Sequence, residues 1–333
     1  MKTGVKRSPF LFYLCLYFDS VRVFQDFEEL SNIISPVLTI GTFDGVHIGH
    51  QKIIEQLNQE AEKIGGESVL FTFYPHPRMV LFPDSHGLKL IQTQSEKVDK
   101  LRRMGLKNVI VVPFTKDFSR LTAIEFVRDY LVNQINVKKL VIGYDHQFGK
   151  NREGTLDFLK DVSETYGFEV IEIPAQEIDD VNVSSTKIRN ALTSGDIETA
   201  NAFLGEAFSI TGEVVHGAAI GKTIGFPTAN LAVNSELKLI PANGVYAVLV
   251  ELSDRVLPGM MNIGTRPTVT NSAEQHLEVH IFDFQEDLYG QSITVQLLRC
   301  IREEKRFDNL EELKNQLQQD EKAVRNIILS TSV

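Results

Sequence analysis

The stretch Val37-Leu38-Thr39-Ile40-Gly41-Thr42-Phe43-Asp44-Gly45-Val46-His47-Ile48-Gly49-His50 decides how the first half of the chain folds. Its opening four residues are apolar or β-branched, the make-up of a short buried strand. Glycines at 41, 45 and 49 then interrupt any regular element. Beyond them Ile53, Ile54, Leu57 and Ala61 fall on one face of a helix. A strand, a glycine-rich turn and a helix in that order make an anion site: glycine lets the backbone approach a phosphate closely. The helix start adds N–H groups and the positive end of its dipole. His47 and His50 stand three apart, on one face of the opening turn. Two imidazole donors there can stabilise the negative charge that grows on a phosphorus under in-line attack. The same His spacing can bind zinc, but no third ligand is evident nearby and the glycines would then be unexplained.

Outward from this stretch, strand-length apolar runs at Val37–Ile40, Ser68–Phe73, Asn108–Val112, Lys139–Ile142 and Phe168–Ile173 alternate with helical patterns, Phe126, Val127 and Tyr130 among them. Alternation of this kind predicts a parallel, doubly wound, Rossmann-like α/β sheet, with ligands beyond the carboxyl ends of the strands. The pattern changes after a short helix ending near Leu204-Gly205. Strands at Phe208–Val215, Gly244–Leu252, Val256–Ile263, His276–Phe284 and Ser292–Ile301 follow one another, punctuated by Pro258-Gly259 and Tyr289-Gly290. These predict a small antiparallel β-barrel. The chain ends on a helix from about Asn309, with Leu310, Leu313, Leu317, Val324 and Ile328 as its apolar stripe. The expected domains are residues 21–203 and 205–333, after an extension over residues 1–20.

Length and composition agree with two globular domains: 333 residues, 43% hydrophobic and 23% charged. The net charge of −10 argues against a surface built for DNA or RNA and leaves a small phosphate ligand open. Cys15 and Cys300 form no paired spacing, so a structural zinc site or disulfide framework has no support and a reducing, cytoplasmic location is the default. Residues 1–20 carry Lys2, Lys6 and Arg7 before an apolar run from Pro9 to Phe18. That run is too short to span a bilayer and lacks a small-residue cleavage site, so a dispensable extension is expected, with weak membrane association as the alternative.

Four further segments carry chemistry. Val183-Ser184-Ser185-Thr186-Lys187-Ile188-Arg189 reads as a helix cap that leaves N–H groups for an anion beside a forked cation, although an ordinary cap looks the same. Gly221-Lys222-Thr223 invites a P-loop reading and fails it, because that motif needs a glycine where His216 stands. Gly225-Phe226-Pro227-Thr228-Ala229-Asn230 offers hard oxygen ligands. Glu278, between Leu277 and Val279, suits either a general base or a solvent-facing strand glutamate.

Taken together these motifs resemble the bifunctional riboflavin kinase and FAD synthetase family, from about Val21 to the last helix. Gly41–His50 resembles the HxGH signature of nucleotidyltransferases, and Thr72–Pro77 the TFxPHP loop. Gly143–Gly149 is similar to GxDFxFG with His146 in place of Phe, and Val183–Arg189 to SSTxIR. Gly225–Asn230 resembles the PTAN motif of riboflavin kinases, with Gly217–Gly225 as its phosphate loop, and Glu278 falls in ExHxxDF. The resemblance implies a kinase that makes FMN from riboflavin and ATP, and an adenylyltransferase that makes FAD from FMN and a second ATP. It implies transition-state contacts for His47 and His50, and ATP or phosphate binding at Gly41, Phe43, Asp44, Asp145, Ser184, Ser185, Thr186 and Arg189. A flavin-nucleotide loop is implied at Pro75, His76 and Pro77, and kinase ATP binding at Gly217, Gly221, Lys222, Gly225, Thr228 and Asn230. Thr228 and Asn230 are the implied Mg²⁺ ligands and Glu278 the base. Riboflavin, FMN, FAD and ATP are then the partners. No tightly bound prosthetic group, nucleic acid or stable membrane association is expected.

Overall fold

The computed structural model describes residues 21–27, 30–82, 87–143, 146–174, 183–217, 220–266 and 274–331. The extension over 1–20 and Asp145 lie outside the described residues. Contacts gather the chain into two compact units. One is Met1–Thr42, Gln51–Ser85 and Glu96–Ile178; the other is Phe43–His50, His86–Ser95 and Asp179–Val333.

The first unit holds a six-stranded sheet in the order β1-β4-β3-β2-β5-β6. Its strands are β1 (Arg22–Phe24), β2 (Val37–Ile40), β3 (Ser68–Tyr74), β4 (Asn108–Pro113), β5 (Lys139–Gly143) and β6 (Glu169–Ile173), all paired in parallel. The predicted strands are all present, shifted by a residue at most at their ends. Every residue of β2 is buried, and so are the first five of β4, whereas in the edge strand β6 only Ile173 is buried. Unbroken apolar runs mark strands covered on both faces. The chain winds from β2 through β3 to β4 on one side and then returns to β5 on the other. That reversal beside β2 is the switch point at which such sheets bind ligands. In the helix Ile48–Lys63 the residues Ile54, Leu57 and Ala61 are buried, as their spacing predicts. Ionic groups around the buried Glu60 anchor its far end, where Glu60 accepts from the exposed Lys63 and from Lys139 (2.5 and 2.9 Å). Those hydrogen bonds, Lys63 first, hold the Glu60 carboxyl below the usual glutamate range.

In the second unit a closed antiparallel barrel runs β10-β11-β8-β7-β12-β9. It comprises β7 (Phe208–Val215), β8 (Ala229–Ala232), β9 (Gly244–Glu251), β10 (Val256–Arg266), β11 (Glu274–Ile281) and β12 (Ser292–Arg302). The short strand β8 is missing from the sequence reading, because four residues flanked by Pro227 carry too little alternation to register. Pro258-Gly259 lies inside β10 rather than in a turn. On β9 Tyr246, Val248 and Val250 point into the barrel, while Val245 and Ala247 face outward beneath the terminal helix Leu310–Thr331. This two-sided burial explains why β9 reads as a continuous apolar run. Val324 is the fully buried residue of the helix, with Leu317 and Ile328 beside it. Leu310, expected in the stripe, is 54% exposed because it opens the helix beyond the barrel edge. Arg302 clamps the helix through Nε and Nη2 to Asp320 (2.9 and 2.8 Å). The helices Ser185–Ser194 and Ile197–Leu204 share the barrel's core through Ile188, Leu192, Ile197 and Leu204. Glycines 195 and 205 end these helices in the left-handed conformation.

Candidate active sites

The Phe43–His50 turn is strained and tightly held. Phe43 and Val46 adopt positive φ (48° and 37°) beside Gly45 at 86°, and strain of this kind persists where surrounding contacts over-determine the backbone. Asp44 and Arg189 make most of those contacts. The carboxylate of Asp44, buried at 5% exposure, accepts from the backbone N–H groups of Ile91 (3.1 Å) and Gln92 (3.3 Å) and from the Arg189 guanidinium. Ser185 Oγ donates to the Asp44 carbonyl (2.9 Å), and Arg189 Nε to the carbonyl of Lys89 (2.9 Å). The turn, the segment 87–92 and the helix Ser185–Ser194 are thereby locked together. Lys238 continues the lock: its Nζ donates to the Ile91 carbonyl (2.9 Å), while Leu90 exchanges backbone hydrogen bonds with Leu237 and Leu239.

Held in this way, the histidines form a column of rings. His47 and His50 stack at 3.6 Å between centroids, and His50 stacks on Phe43 at 4.4 Å. His47 Nδ1 accepts from the backbone N–H of His50 (3.3 Å), so a neutral His47 carries its proton on Nε2, as a donor. Ser184 caps the helix Ser185–Ser194 through the Lys187 N–H (3.3 Å), and Thr186 is exposed on its first turn. Of the residues expected at the adenylyltransferase site, the catalytic His47 and His50 and the phosphate-binding Phe43, Asp44, Ser185 and Arg189 thus converge in the second unit. Asp44 and Arg189 do so as partners of one another.

The first unit carries Gly41 just after β2, its N–H bonded to the Phe71 carbonyl (3.0 Å). Pro75, His76 and Pro77 follow β3, where His76 Nδ1 accepts from the Arg78 N–H (3.2 Å) and caps the helix Pro77–Leu81. Lys97, buried and absent from the sequence reading, donates to the Thr42 carbonyl (3.2 Å) and to Thr72 Oγ1 (3.3 Å). A lysine on a helical stretch full of charges gives no signal of burial.

The barrel's candidate site lies on its outside. Leu277, Val279 and Ile281 of β11 point inward, so His276, Glu278 and His280 face outward. The alternation that allowed a solvent-facing glutamate is therefore real, but what Glu278 faces is a cavity of about 290 Å³. Thr228, Asn230, Asn262, Met260 and Arg302 line it from the barrel, with Leu313 and Leu317 from the terminal helix. Strand register levels its floor. Asn230 pairs with Glu278, Glu278 with Asn262, Asn262 with Val245, and Val245 with Arg302, a single row across β8, β11, β10, β9 and β12.

Pro227 cannot continue the β8 ladder as a donor. His280 Nδ1 donates instead to the Pro227 carbonyl (2.7 Å), pinning the Phe226–Asn230 segment to β11. A second cavity, of about 580 Å³ and lined by Ala229, Ile281, Phe284 and Tyr289, also reaches Thr228, which belongs to both. Two glycines before β8 leave no room for a side chain. A Cβ on Gly217 would fall 2.0 Å from the Asn230 carboxamide, and one on Gly221 would fall 2.1 Å from the Phe226 carbonyl. Gly225 has φ of 89°. Lys222 follows Gly221 in the short helix Ile220–Thr223. At the other end of β11, Arg325 forks onto the Asp283 carboxylate (3.0 and 3.1 Å) and holds it below the usual aspartate range. Among the described residues no three His, Cys, Asp or Glu come together as a metal-binding group. None of their helices is long and apolar enough to cross a membrane.

Comparison with known proteins gives two family matches, an FAD synthetase model over residues 31–187 and a riboflavin kinase model over residues 204–328. The bifunctional riboflavin kinase/FMN adenylyltransferase of Escherichia coli K12 is 41% identical over 290 residues, covering 87% of this chain and 91% of that protein. Its namesake in Bacillus subtilis 168 is 37% identical over 293 residues, 87% of this chain and 92% of that one. A solved structure from Streptococcus pneumoniae, described as a macrolide-efflux protein, is 34% identical. It superposes with a TM-score of 0.81, covering 92% of this chain and 99% of that one.

Proposed function

Because the chain belongs to the bifunctional riboflavin kinase/FMN adenylyltransferase family, we propose that its two sites work in series, the barrel cavity phosphorylating riboflavin and the His47 turn adenylylating the FMN. The observation that carries this reading is the meeting of Thr228, Asn230 and Glu278 on one cavity wall, from segments fifty residues apart in the chain. In the kinase step Glu278 takes the proton of the terminal ribityl hydroxyl as its oxygen attacks the γ-phosphorus of ATP, and ADP leaves. Thr228 touches both cavities. It therefore marks the phosphate position, with the flavin on the Glu278 side and ATP entering from the other.

The donor set fits Mg²⁺. The Thr228 hydroxyl and the Asn230 carboxamide are hard oxygen ligands, too few to hold an ion alone, as expected of a metal that shares its shell with phosphates and water. Bound there, Mg²⁺ would neutralise phosphate charge. The close approach of Gly217 and Gly221 leaves backbone rather than side chains to face the phosphates.

In the adenylyltransferase step an FMN phosphate oxygen attacks the α-phosphorus of ATP and pyrophosphate leaves. His47 donates from Nε2 and His50 stacks against it, so both imidazoles stand at the start of a helix whose N–H groups favour an anion. Ser184, Ser185 and Thr186 present the start of a second helix, and Arg189 orients the turn through Asp44. Pro75, His76 and Pro77 are assigned to the flavin nucleotide. Flavins pass through as substrate and product, so no tightly held prosthetic group is required. The absence of any paired cysteine spacing in the sequence and the acidic balance support a cytoplasmic enzyme without nucleic-acid partners or stable membrane association.

Incubation with riboflavin, ATP and Mg²⁺, followed by chromatography, should show FMN rising first and FAD after it, with both lost when the metal is chelated. A purified, folded protein that forms no FMN would overturn the assignment.

A further inference from the structure

The row Asn230, Glu278, Asn262, Val245, Arg302 gives the cavity floor a direction. Thr228 and Asn230 lie to one side of Glu278, the side assigned above to the phosphates. The rest of the acceptor must leave Glu278 the other way, across Asn262. Beyond Asn262 the lining gains an apolar floor, Val245 on the same row with Met260, Leu313 and Leu317 around it, edged by Arg302, Glu304 and Lys305, a surface suited to a flat ring system with polar edges. Side chains paired across neighbouring antiparallel strands stand about 5 Å apart. A group of that reach, next to the residue holding the terminal hydroxyl, meets the hydroxyls just inward of it on a polyol. A carboxamide offers donors and an acceptor, the complement of a hydroxyl's own pair.

We infer that Asn262 recognises the inner ribityl hydroxyls and so selects flavins that carry a polyol chain over those with a plain alkyl alcohol. The inference rests on the barrel cavity being the kinase site. Sites built to bond a hydroxyl reject analogues lacking it, because their polar groups are then left unmatched. The competing role for Asn262 is to orient the neighbouring Glu278 carboxylate. That role would affect every acceptor alike, whatever its chain.

The test uses the full-length protein with two acceptors. One is riboflavin; the other has the same ring system on a five-carbon chain bearing only the terminal hydroxyl. Replacing Asn262 by Leu, close in shape but without hydrogen bonds, should lower kcat/KM for riboflavin about 5- to 20-fold, the equivalent of one or two neutral hydrogen bonds, chiefly through KM. The alkyl-alcohol flavin should change by less than about twofold. Asn262→Ser, which restores a donor and an acceptor, gives a second reading if the Leu variant folds poorly, and it should recover part of the preference. Equal losses on both acceptors, or no loss on riboflavin, would overturn the inference. Glu278→Gln assayed in parallel separates the two levels. If it is inactive while Asn262→Leu keeps the wild-type preference, Asn262 alone is misassigned; if it turns over normally, the cavity is not the kinase site and the inference fails with it.

Discussion

In the His47 turn the residues assigned to the phosphate come from one continuous stretch and the start of one helix. The barrel wall draws Asn230, Glu278 and Asn262 from three strands that are neighbours only in the closed sheet. The turn is rigid through charge, with Asp44 and Arg189 buried against one another, whereas the wall is rigid through its ladder and leaves its polar side chains facing the cavity. A site made from adjacent residues is written in the chain as a motif. One made across strands is written as register, which no single strand contains. Substitutions should separate the two sites in both chemistry and stability.

The largest effect should come from replacing both histidines. His47→Ala with His50→Ala should reduce FAD formation from supplied FMN by about 10³-fold or more, in the range seen when preorganised donors are removed. FMN formation should stay within about twofold of wild type. Parallel loss of FMN formation in a protein with an unchanged melting temperature would break the separation of the two sites. Glu278→Gln should do the reverse, lowering riboflavin phosphorylation about 10²- to 10⁴-fold and sparing adenylylation of FMN.

Stability should show the other half of the contrast. Asp44→Ala strands the Arg189 guanidinium, whose side chain is only 13% exposed, without its carboxylate. Removing one member of a buried pair typically costs about 3 to 5 kcal/mol. Denaturant unfolding should find a loss of that order, against about 0.5 kcal/mol or less for Asn262→Leu at the cavity surface.

The smallest effect concerns the ionic cluster under the first sheet. Glu60 has its pKa lowered by Lys63 and Lys139, so its contribution is fully present above the unfolded value of 4.5 and is lost as pH falls through the lower folded one. The stability gap between wild type and Glu60→Gln, followed by thermal melts from neutral to acid pH, should hold steady down to the unfolded value of 4.5 and narrow below it. A gap that widens in acid would assign the cluster's effect elsewhere.

Much of this molecule was legible before folding. The strand, turn and helix around His47, the parallel order of the first sheet, the barrel and its terminal helix all follow from local pattern, because periodicity of burial and glycine placement are properties of neighbouring residues. The resemblance at Gly225–Asn230 and Glu278 pointed to the second candidate site by wording alone. Tertiary structure decided what lay on the outer side of β11. Alternation placed Glu278 outside the barrel equally well under either reading, and only the packing of Leu310–Thr331 made that outside a cavity rather than solvent. The same packing and the strand register brought Asn262 and Arg302 into line with Glu278. It was likewise tertiary structure that spent the charge of Arg189 on Asp44, since the two lie 145 positions apart in the chain and no spacing rule connects them. Sequence determines which faces are apolar; what covers each face is settled by elements distant along the chain, whose approach depends on the whole fold.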